Sequence, residues 1–218
     1  MKKELIIPLI LTGLVFFLGL GAKAQETLTP DLFQKEEASA SGTDENLQKV
    51  VSIPFTDIQG HWAEKDIEAV YRMGILTGIS PNRFGPGEAI TGNDLIFSLE
   101  KLFEQKVGKE NNRTGKLRGL LEVPAEPVAR MKAAFVIEEA FKVNELSVIT
   151  TQIYPIFDDT KNISRKESSA LSFVFNTGIM KGRTQKIFAP NDPVTRAELA
   201  VILNRTFRVL EIAEKVGK

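Results

Sequence analysis

The sequence lacks several residues on which enzymes and metalloproteins depend. Its 218 residues include no cysteine and a single histidine, His61, and its 28 basic side chains are balanced by 28 acidic ones. Without cysteine there is no disulfide, thiolate metal site or thiol nucleophile, and one histidine makes a poor metal site or catalytic triad. A formal net charge of zero argues against binding nucleic acid through overall positive charge. We therefore expect a non-catalytic globular protein that needs no metal and no cofactor.

The first 24 residues, MKKELIIPLILTGLVFFLGLGAKA, combine two lysines, an apolar stretch and a small-x-small site at residues 22–24. This order is typical of a secretory signal peptide, so we expect cleavage after Ala24 and export to the cell surface or cell wall. The apolar stretch also reaches the lower length limit for a membrane span, which leaves an uncleaved membrane anchor as the alternative. Residues 25–52 are polar and show no hydrophobic period, which predicts a flexible linker before a domain over 53–218.

Internal repetition is the most informative feature of that domain. GILTGISPNRFGPGEAITGNDL from Gly74 and GIMKGRTQKIFAPNDPVTRAEL from Gly178 share glycines, prolines and a phenylalanine at a constant offset of 104 residues. A weaker copy, EVPAEPVARMKAAFVI from Glu122, matches the later segment at an offset of 66. The sequence therefore predicts three repeats, at about 55–104, 105–145 and 154–210, and the middle one is shortened.

Each repeat has the pattern of a short helix followed by a longer one. The short amphipathic helix HWAEKDIEAVYRMG ends at Gly74, because glycine adopts the left-handed conformation of a helix end without strain. Thr195 and Glu198 of the TRAE segment form a predicted capping box at the start of a longer helix. The long helices carry apolar stripes that no single repeat can bury, so we expect an all-α fold around a central bundle of three long helices.

FTDIQGHWAEKDIEAVYRMGILTGISPNRFGPGEAIT and IFAPNDPVTRAELAVILNRTF, from the first and third repeats, resemble the S-layer homology (SLH) repeat. The resemblance covers nearly all of residues 55–207 and is weak in the middle repeat. It implies three SLH-like repeats in a pseudo-threefold arrangement. It also implies non-covalent binding to secondary cell-wall polysaccharide, often at pyruvylated sugars, which holds exported proteins on the bacterial surface.

The resemblance also implies which residues bind. In the family, the arginine of the TRAE motif faces a groove between repeats and pairs with an acid group of the ligand, as a planar guanidinium can. Arg196 matches that position fully, Arg130 matches it within an altered ARMK sequence, and the first repeat has Gly92 instead. Trp62 matches the family's aromatic beside the first helix, and the third repeat has Lys166 there. One or two grooves are therefore expected to bind.

Each candidate residue also has a structural interpretation. Trp62 could be a core residue, and Arg196 could be solvated or paired locally with Glu198 or Asp192. For Arg130 the structural role is favoured.

Two functions follow from these patterns. The first is a non-catalytic, polysaccharide-binding protein that attaches itself or a partner to the cell envelope. The alternative is an envelope module for protein–protein assembly that keeps the fold but has lost polysaccharide binding, which the altered middle repeat and Gly92 favour. A hydrolase is not supported, because the acidic residues are scattered over helix faces and caps and no motif brings two of them together.

Overall fold

The computed structural model describes residues 52–121, 124–151 and 153–217, and within these the protein is helical apart from one small two-stranded sheet. The α-helices are α1 Glu64–Arg72, α2 Gly92–Val107, α3 Arg130–Val143, α4 Arg165–Asn176 and α5 Arg196–Ile212. Short 3-10 helices span Lys109–Asn111 and Thr114–Leu120, and strand β1 (Leu146–Ser147) pairs antiparallel with β2 (Glu214–Lys215). The predicted all-α fold is confirmed. The predictions for residues 1–24 and 25–51 lie outside the described residues.

The helix boundaries follow from local chemistry that the sequence predicts. Helices α2, α4 and α5 each begin with a capping box, made by Thr91 with Asp94, Ser164 with Glu167, and Thr195 with Glu198. Gly74 and Gly178 follow the ends of α1 and α4 with φ of 69° and 74°, in the left-handed region that glycine enters freely. Helix α3 differs, because its N-cap is Ala129, which has no side-chain oxygen to accept a hydrogen bond.

The first helix of each repeat packs on the long helix of another repeat. Helix α1 packs on α5, and α4 packs on α3. In the shortened middle repeat the 3-10 helix Thr114–Leu120 replaces the first helix and packs on α2, burying Leu117. The middle repeat therefore packs against its neighbours although its first half is reduced. Helix α2 contacts both other long helices, α5 and α3.

A ring of backbone hydrogen bonds joins the segments that lead into the three long helices. The N–H of Ile90 donates to Val194 O at 2.9 Å, Val194 N–H donates to Val128 O at 2.9 Å, and Val128 N–H donates to Ile90 O at 3.0 Å. Each segment thus donates to one neighbour and accepts from the other, which fixes the starts of α2, α3 and α5 relative to one another. The pseudo-threefold arrangement of the whole domain stays a prediction.

An aspartate fixes the turn inside the first and third repeats. Asp57 accepts hydrogen bonds from the backbone N–H groups of Phe84 and Gly85, both at 2.8 Å. Asp159 accepts in the same way from Phe188 at 3.0 Å and Ala189 at 2.7 Å. The two phenylalanine rings are fully buried, so each turn has an apolar plug and a carboxylate anchor.

In the part of the chain that the structure describes, no helix has the length and apolar character needed to cross a membrane.

Candidate functional site

Arg196, the full match to the predicted ligand-binding arginine, is buried at the junction between the third and first repeats, with 7% of its surface exposed. Its Nε donates to the carbonyl of Phe84 at 2.8 Å, its Nη2 donates to the carbonyl of Thr77, and its guanidinium lies 4.8 Å from the centroid of the Phe84 ring. Burial lowers the pKa of Arg196, but an arginine remains protonated at neutral pH. Arg196 is therefore not solvated, and among the described residues it forms no ion pair with Glu198 or Asp192, so both structural alternatives are wrong.

Arg130 makes the same arrangement at the junction between the second and third repeats. Its Nε donates to Phe188 O at 2.9 Å and its Nη2 donates to Lys181 O at 2.8 Å, while Nη1 lies 3.1 Å from a carboxylate oxygen of Glu198. Burial lowers the pKa of Arg130, and the Glu198 carboxylate opposes that shift. Arg130 therefore ties its own repeat to the loop of the next, in agreement with the favoured structural role.

Gly92 occupies the corresponding position at the third junction, where a side chain would not fit. A Cβ atom there would lie 2.7 Å from Leu121 Cδ1 and 3.1 Å from the carbonyl oxygen of Pro124. Leu121 belongs to the shortened middle repeat, and its side chain fills the space into which the arginines of the other junctions project. The absence of an arginine in the first repeat is therefore matched by apolar packing across the junction.

Trp62 and Arg130 line one groove, the Trp62 groove, with a volume of ≈ 340 Å³. One wall is the loop 179–183 of the third repeat. The base is a face of α5 on which Glu198, Val201, Ile202 and Arg205 recur at helical spacing. Trp62 is 67% exposed, so the alternative that it is only a core residue is wrong. The structure therefore brings two of the three predicted binding residues together, and Arg196 lies at a different junction.

The Trp62 groove has an excess of positive charge. Four cationic side chains line it against one carboxylate, that of Glu198; the cations are Arg130, Lys181, Arg183 and Arg205. The carboxylate is shared by Arg130 at 3.1 Å and Arg183 at 3.3 Å. Within the described residues, Arg205 and Lys181 form no ion pair, so their charge is available to an anionic ligand.

A second cavity, of ≈ 360 Å³, lies between the starts of α3 and α4. Lys166, which aligns with Trp62 in the repeat, lines this cavity together with Lys132 and Phe135 of α3. The arrangement parallels the Trp62 groove, where Trp62 lies beside α5. Because lysine replaces tryptophan, this second cavity has charge but lacks the exposed indole.

Sequence reasoning did not single out Lys181, Arg183 and Arg205. A signal for the first two was present, because the third repeat reads Lys-Gly-Arg at 181–183 where the first repeat reads Thr-Gly-Ile at 77–79. Arg205 lies seven residues after Glu198, on the same helical face. A comparison of the copies for charge, rather than for identity alone, would have indicated these residues.

Two segments of the chain match a family model. Residues 54–95 and 156–200 match the S-layer homology domain, and they correspond to most of the first and third repeats. The matched segments contain the two arrangements of aspartate anchor, phenylalanine plug and long-helix start described above.

Two relatives are similar over most of this chain. The exoglucanase XynX of Acetivibrio thermocellus is 23% identical over 177 residues, which cover 70% of this chain and 16% of the relative. An endoglucanase of Bacillus sp. (strain KSM-635) is 26% identical over 168 residues, which cover 76% of this chain and 13% of the relative. The chain thus spans a small part of either relative. Its residues 54–95 and 156–200 are similar to S-layer homology domains, which are anchoring modules of the cell surface.

Proposed function

We propose that this protein binds an acidic, secondary cell-wall polysaccharide in the Trp62 groove and thereby attaches itself, or a partner, to the cell surface without catalysing a reaction. The observation that carries the proposal is an exposed indole beside cations that have no ion-pair partner among the described residues. The proposal includes export through the predicted signal peptide at residues 1–24.

The groove offers complementary contacts to a charged sugar. The exposed face of Trp62 can pack on the apolar face of a sugar ring while the polar edge of the indole stays hydrated. Arg205 and Lys181 can bind the carboxylate of an acidic substituent such as a pyruvyl ketal, and a guanidinium can do so with two hydrogen bonds. Apolar side chains of α5, Val201 and Ile202, lie between these polar groups.

The two buried arginines have different roles in this proposal. Arg130 lines the groove, and its bonds to Phe188 and Lys181 hold the loop that forms one wall. We therefore propose that it both positions the loop and contributes charge to the ligand. Arg196 does not line the groove, and its proposed contribution to binding is through the stability of the junction with the first repeat.

Sedimentation with purified cell walls tests the proposal. The purified chain is mixed with walls that retain their secondary polysaccharide and with walls from which it has been extracted. We expect binding only to the unextracted walls. The Trp62→Ala substitution should weaken binding about tenfold, which corresponds to about 1.4 kcal/mol. The Arg205→Ala substitution should weaken it severalfold and reduce its dependence on salt.

The chain provides matched controls for both substitutions. Phe97 is 53% exposed on α2 and lies outside the groove, so Phe97→Ala controls for the loss of an exposed aromatic. Arg208 is exposed on α5 one turn after Arg205 and is not among the residues that line the groove, so Arg208→Ala controls for the loss of a cation. Equal binding of all four folded variants, or binding that survives extraction, would contradict the proposal. No binding by folded wild-type protein would favour the alternative, an envelope module for protein–protein assembly.

A further inference from the structure

A third cleft lies away from the Trp62 groove, between α4 and the extended segment that links the second repeat to the third. Its volume is ≈ 350 Å³, near the lower end of the about 300 to 1,000 Å³ typical of small-molecule sites. One side is formed by Ile153 and Tyr154, and the other by the exposed face of α4. We call it the Tyr154 cleft.

The face of α4 in the cleft is lined with small hydroxyl side chains. Ser168, Ser169 and Ser172 lie there, with Arg165 at one end, and the opposite face of the helix is buried in the core. Short side chains leave the cleft open, where the long polar residues usual on a helix surface would fill it. Ser169 already makes a hydrogen bond within the protein, since its hydroxyl donates to Glu138 Oε1 at 2.7 Å.

The other hydroxyls of the cleft are available to a ligand. Among the described residues, neither the Ser168 hydroxyl nor the Arg165 guanidinium makes a hydrogen bond, and the Ser172 Oγ is buried without a partner there. A buried hydroxyl without a partner is unfavourable by about 1 to 3 kcal/mol. Rotation of χ1 between staggered positions can turn Ser172 Oγ towards the cleft, where a ligand would supply the missing bond.

The aromatic side of the cleft is fixed in place. The side-chain amide of Asn176 donates to Ile153 O at 2.9 Å and accepts from Ile153 N–H at 3.3 Å. These two bonds hold the backbone beside α4 just before Tyr154, whose side chain is 74% exposed. The cleft is therefore lined by an exposed aromatic ring on one side and by unpaired hydroxyls on the other. The two hydrogen bonds between Asn176 and Ile153 hold the backbone next to the ring.

We propose that the Tyr154 cleft binds one uncharged pyranose ring. The Tyr154 ring packs on the apolar face of the sugar, and the hydroxyls of Ser168 and Ser172 exchange hydrogen bonds with the sugar hydroxyls. Arg165 is the charged residue among those that line the cleft, and it lies at one end. The proposed contacts are made by the tyrosine ring and by neutral hydroxyls, so they require no acidic substituent and should be insensitive to salt. The proposal rests on the proposed function in one respect: the sugar is a unit of the same wall polysaccharide, held at a second place along its chain.

Chemical-shift mapping with simple sugars tests this proposal on the folded protein. The probes are methyl glucoside and N-acetylglucosamine, added to the isotope-labelled chain at low and high salt. A ligand of this size is expected to bind with a Kd on the order of 1 mM. We expect the amide signals of residues 153–155 and 168–172 to shift, equally at both salt concentrations.

Substitutions separate the cleft from the fold and from the Trp62 groove. Tyr154→Ala should remove the shifts, and Tyr154→Phe should retain them, because the ring face is the contact. Ser172→Ala should weaken binding severalfold and leave the melting temperature unchanged or higher, because it removes an unpaired hydroxyl. Ser98→Ala is the matched control: Ser98 Oγ is also buried without a partner in the described residues, on α2, and its loss should not affect sugar binding.

The outcomes distinguish this proposal from the proposed function. Trp62→Ala should weaken sedimentation with walls but leave the sugar shifts unchanged. An absence of shifts in the wild type, or shifts that survive Tyr154→Ala, would overturn the cleft proposal and leave the Trp62 groove unaffected. If Tyr154→Ala changed only the association of one copy with another, measured by sedimentation velocity, the cleft would be a protein contact and the proposal would be wrong.

Discussion

The junction before α5 and the junction before α2 share the same backbone contacts but are filled by opposite chemistry. Arg196 N–H donates to Glu88 O at 2.8 Å, and Gly92 N–H donates to Glu126 O at 3.3 Å. At the first junction a charged side chain is buried and bound to two carbonyl groups. At the second there is no side chain, and Leu121 occupies the space.

The difference shows what a buried arginine needs in order to stabilise a junction. A guanidinium loses its hydration on burial, and hydrogen bonds must replace it. The first repeat provides carbonyls at Thr77 and Phe84 and the third provides them at Lys181 and Phe188. The middle repeat is shortened where the corresponding turn would lie, and Leu121 lies beside position 92 instead. The backbone ring tolerates either arrangement because its own hydrogen bonds do not depend on these side chains.

The largest expected effect is that of Arg196→Ala, which should lower the free energy of unfolding by about 3 kcal/mol. The substitution removes two charge-assisted hydrogen bonds and leaves buried carbonyls without a donor. Urea unfolding at neutral pH measures it. Arg208→Ala, an exposed arginine on the same helix, should change stability by less than about 0.5 kcal/mol. A loss for Arg196→Ala as small as that of the control would show that the junction does not depend on the guanidinium.

Gly92→Ala should lower the free energy of unfolding by about 2 kcal/mol, because the added Cβ would contact Leu121 and Pro124 at distances that require the junction to move. In a Leu121→Ala background, Gly92→Ala should lower the free energy of unfolding by less, since the closest contact is then absent. A double-mutant cycle from urea unfolding gives the coupling. An equal cost in both backgrounds would mean that the clash with Leu121 is not the cause.

Asp57→Asn should lower stability at neutral pH by about 1 kcal/mol and reduce the sensitivity of the fold to acid. Burial raises the pKa of Asp57, but hydrogen bonds from Phe84 and Gly85 outweigh this and hold the pKa below its usual 3.8. The charged carboxylate therefore stabilises the fold at every pH above the usual aspartate pKa. The stabilisation is lost as the pH falls through the lowered pKa.

Urea unfolding between about pH 2 and pH 7 measures this effect, over the range in which an aspartate titrates. The wild type should lose more stability on acidification than Asp57→Asn does. Asp158→Asn, which changes an exposed carboxylate beside the second anchor, is the control and should keep the wild-type slope. Parallel pH profiles for the wild type and Asp57→Asn would contradict the assignment of Asp57 as a charged anchor.

The smallest expected effect is a gain. Ala129→Thr should stabilise the protein by about 0.5 to 1 kcal/mol, because the backbone at position 129 is already extended and a hydroxyl there can accept from the N–H of Lys132. Ala129→Val adds a similar volume without an oxygen and serves as the control. Thermal unfolding compares the two variants, and an equal gain from valine would attribute the effect to packing and not to capping.

Local signals allowed the helices, their ends and the repetition to be predicted from sequence. Gly74, Gly178 and the three capping boxes act within a few residues of the backbone that they control, so their effect depends little on the rest of the fold. The placement of Arg196 was not predictable in the same way. Its partners at Thr77 and Phe84 are more than one hundred residues away in the chain, and only packing brings them together.

The sequence therefore determined the repeats, the all-α character and the presence of an arginine at the start of α5. The tertiary structure alone decided that Arg196 binds backbone carbonyls, that Trp62 lies exposed beside Arg130, and that Leu121 stands where the first repeat lacks an arginine. The physical reason is that capping and helix periodicity are short-range effects, whereas the burial of a charge depends on which groups a distant part of the chain presents to it.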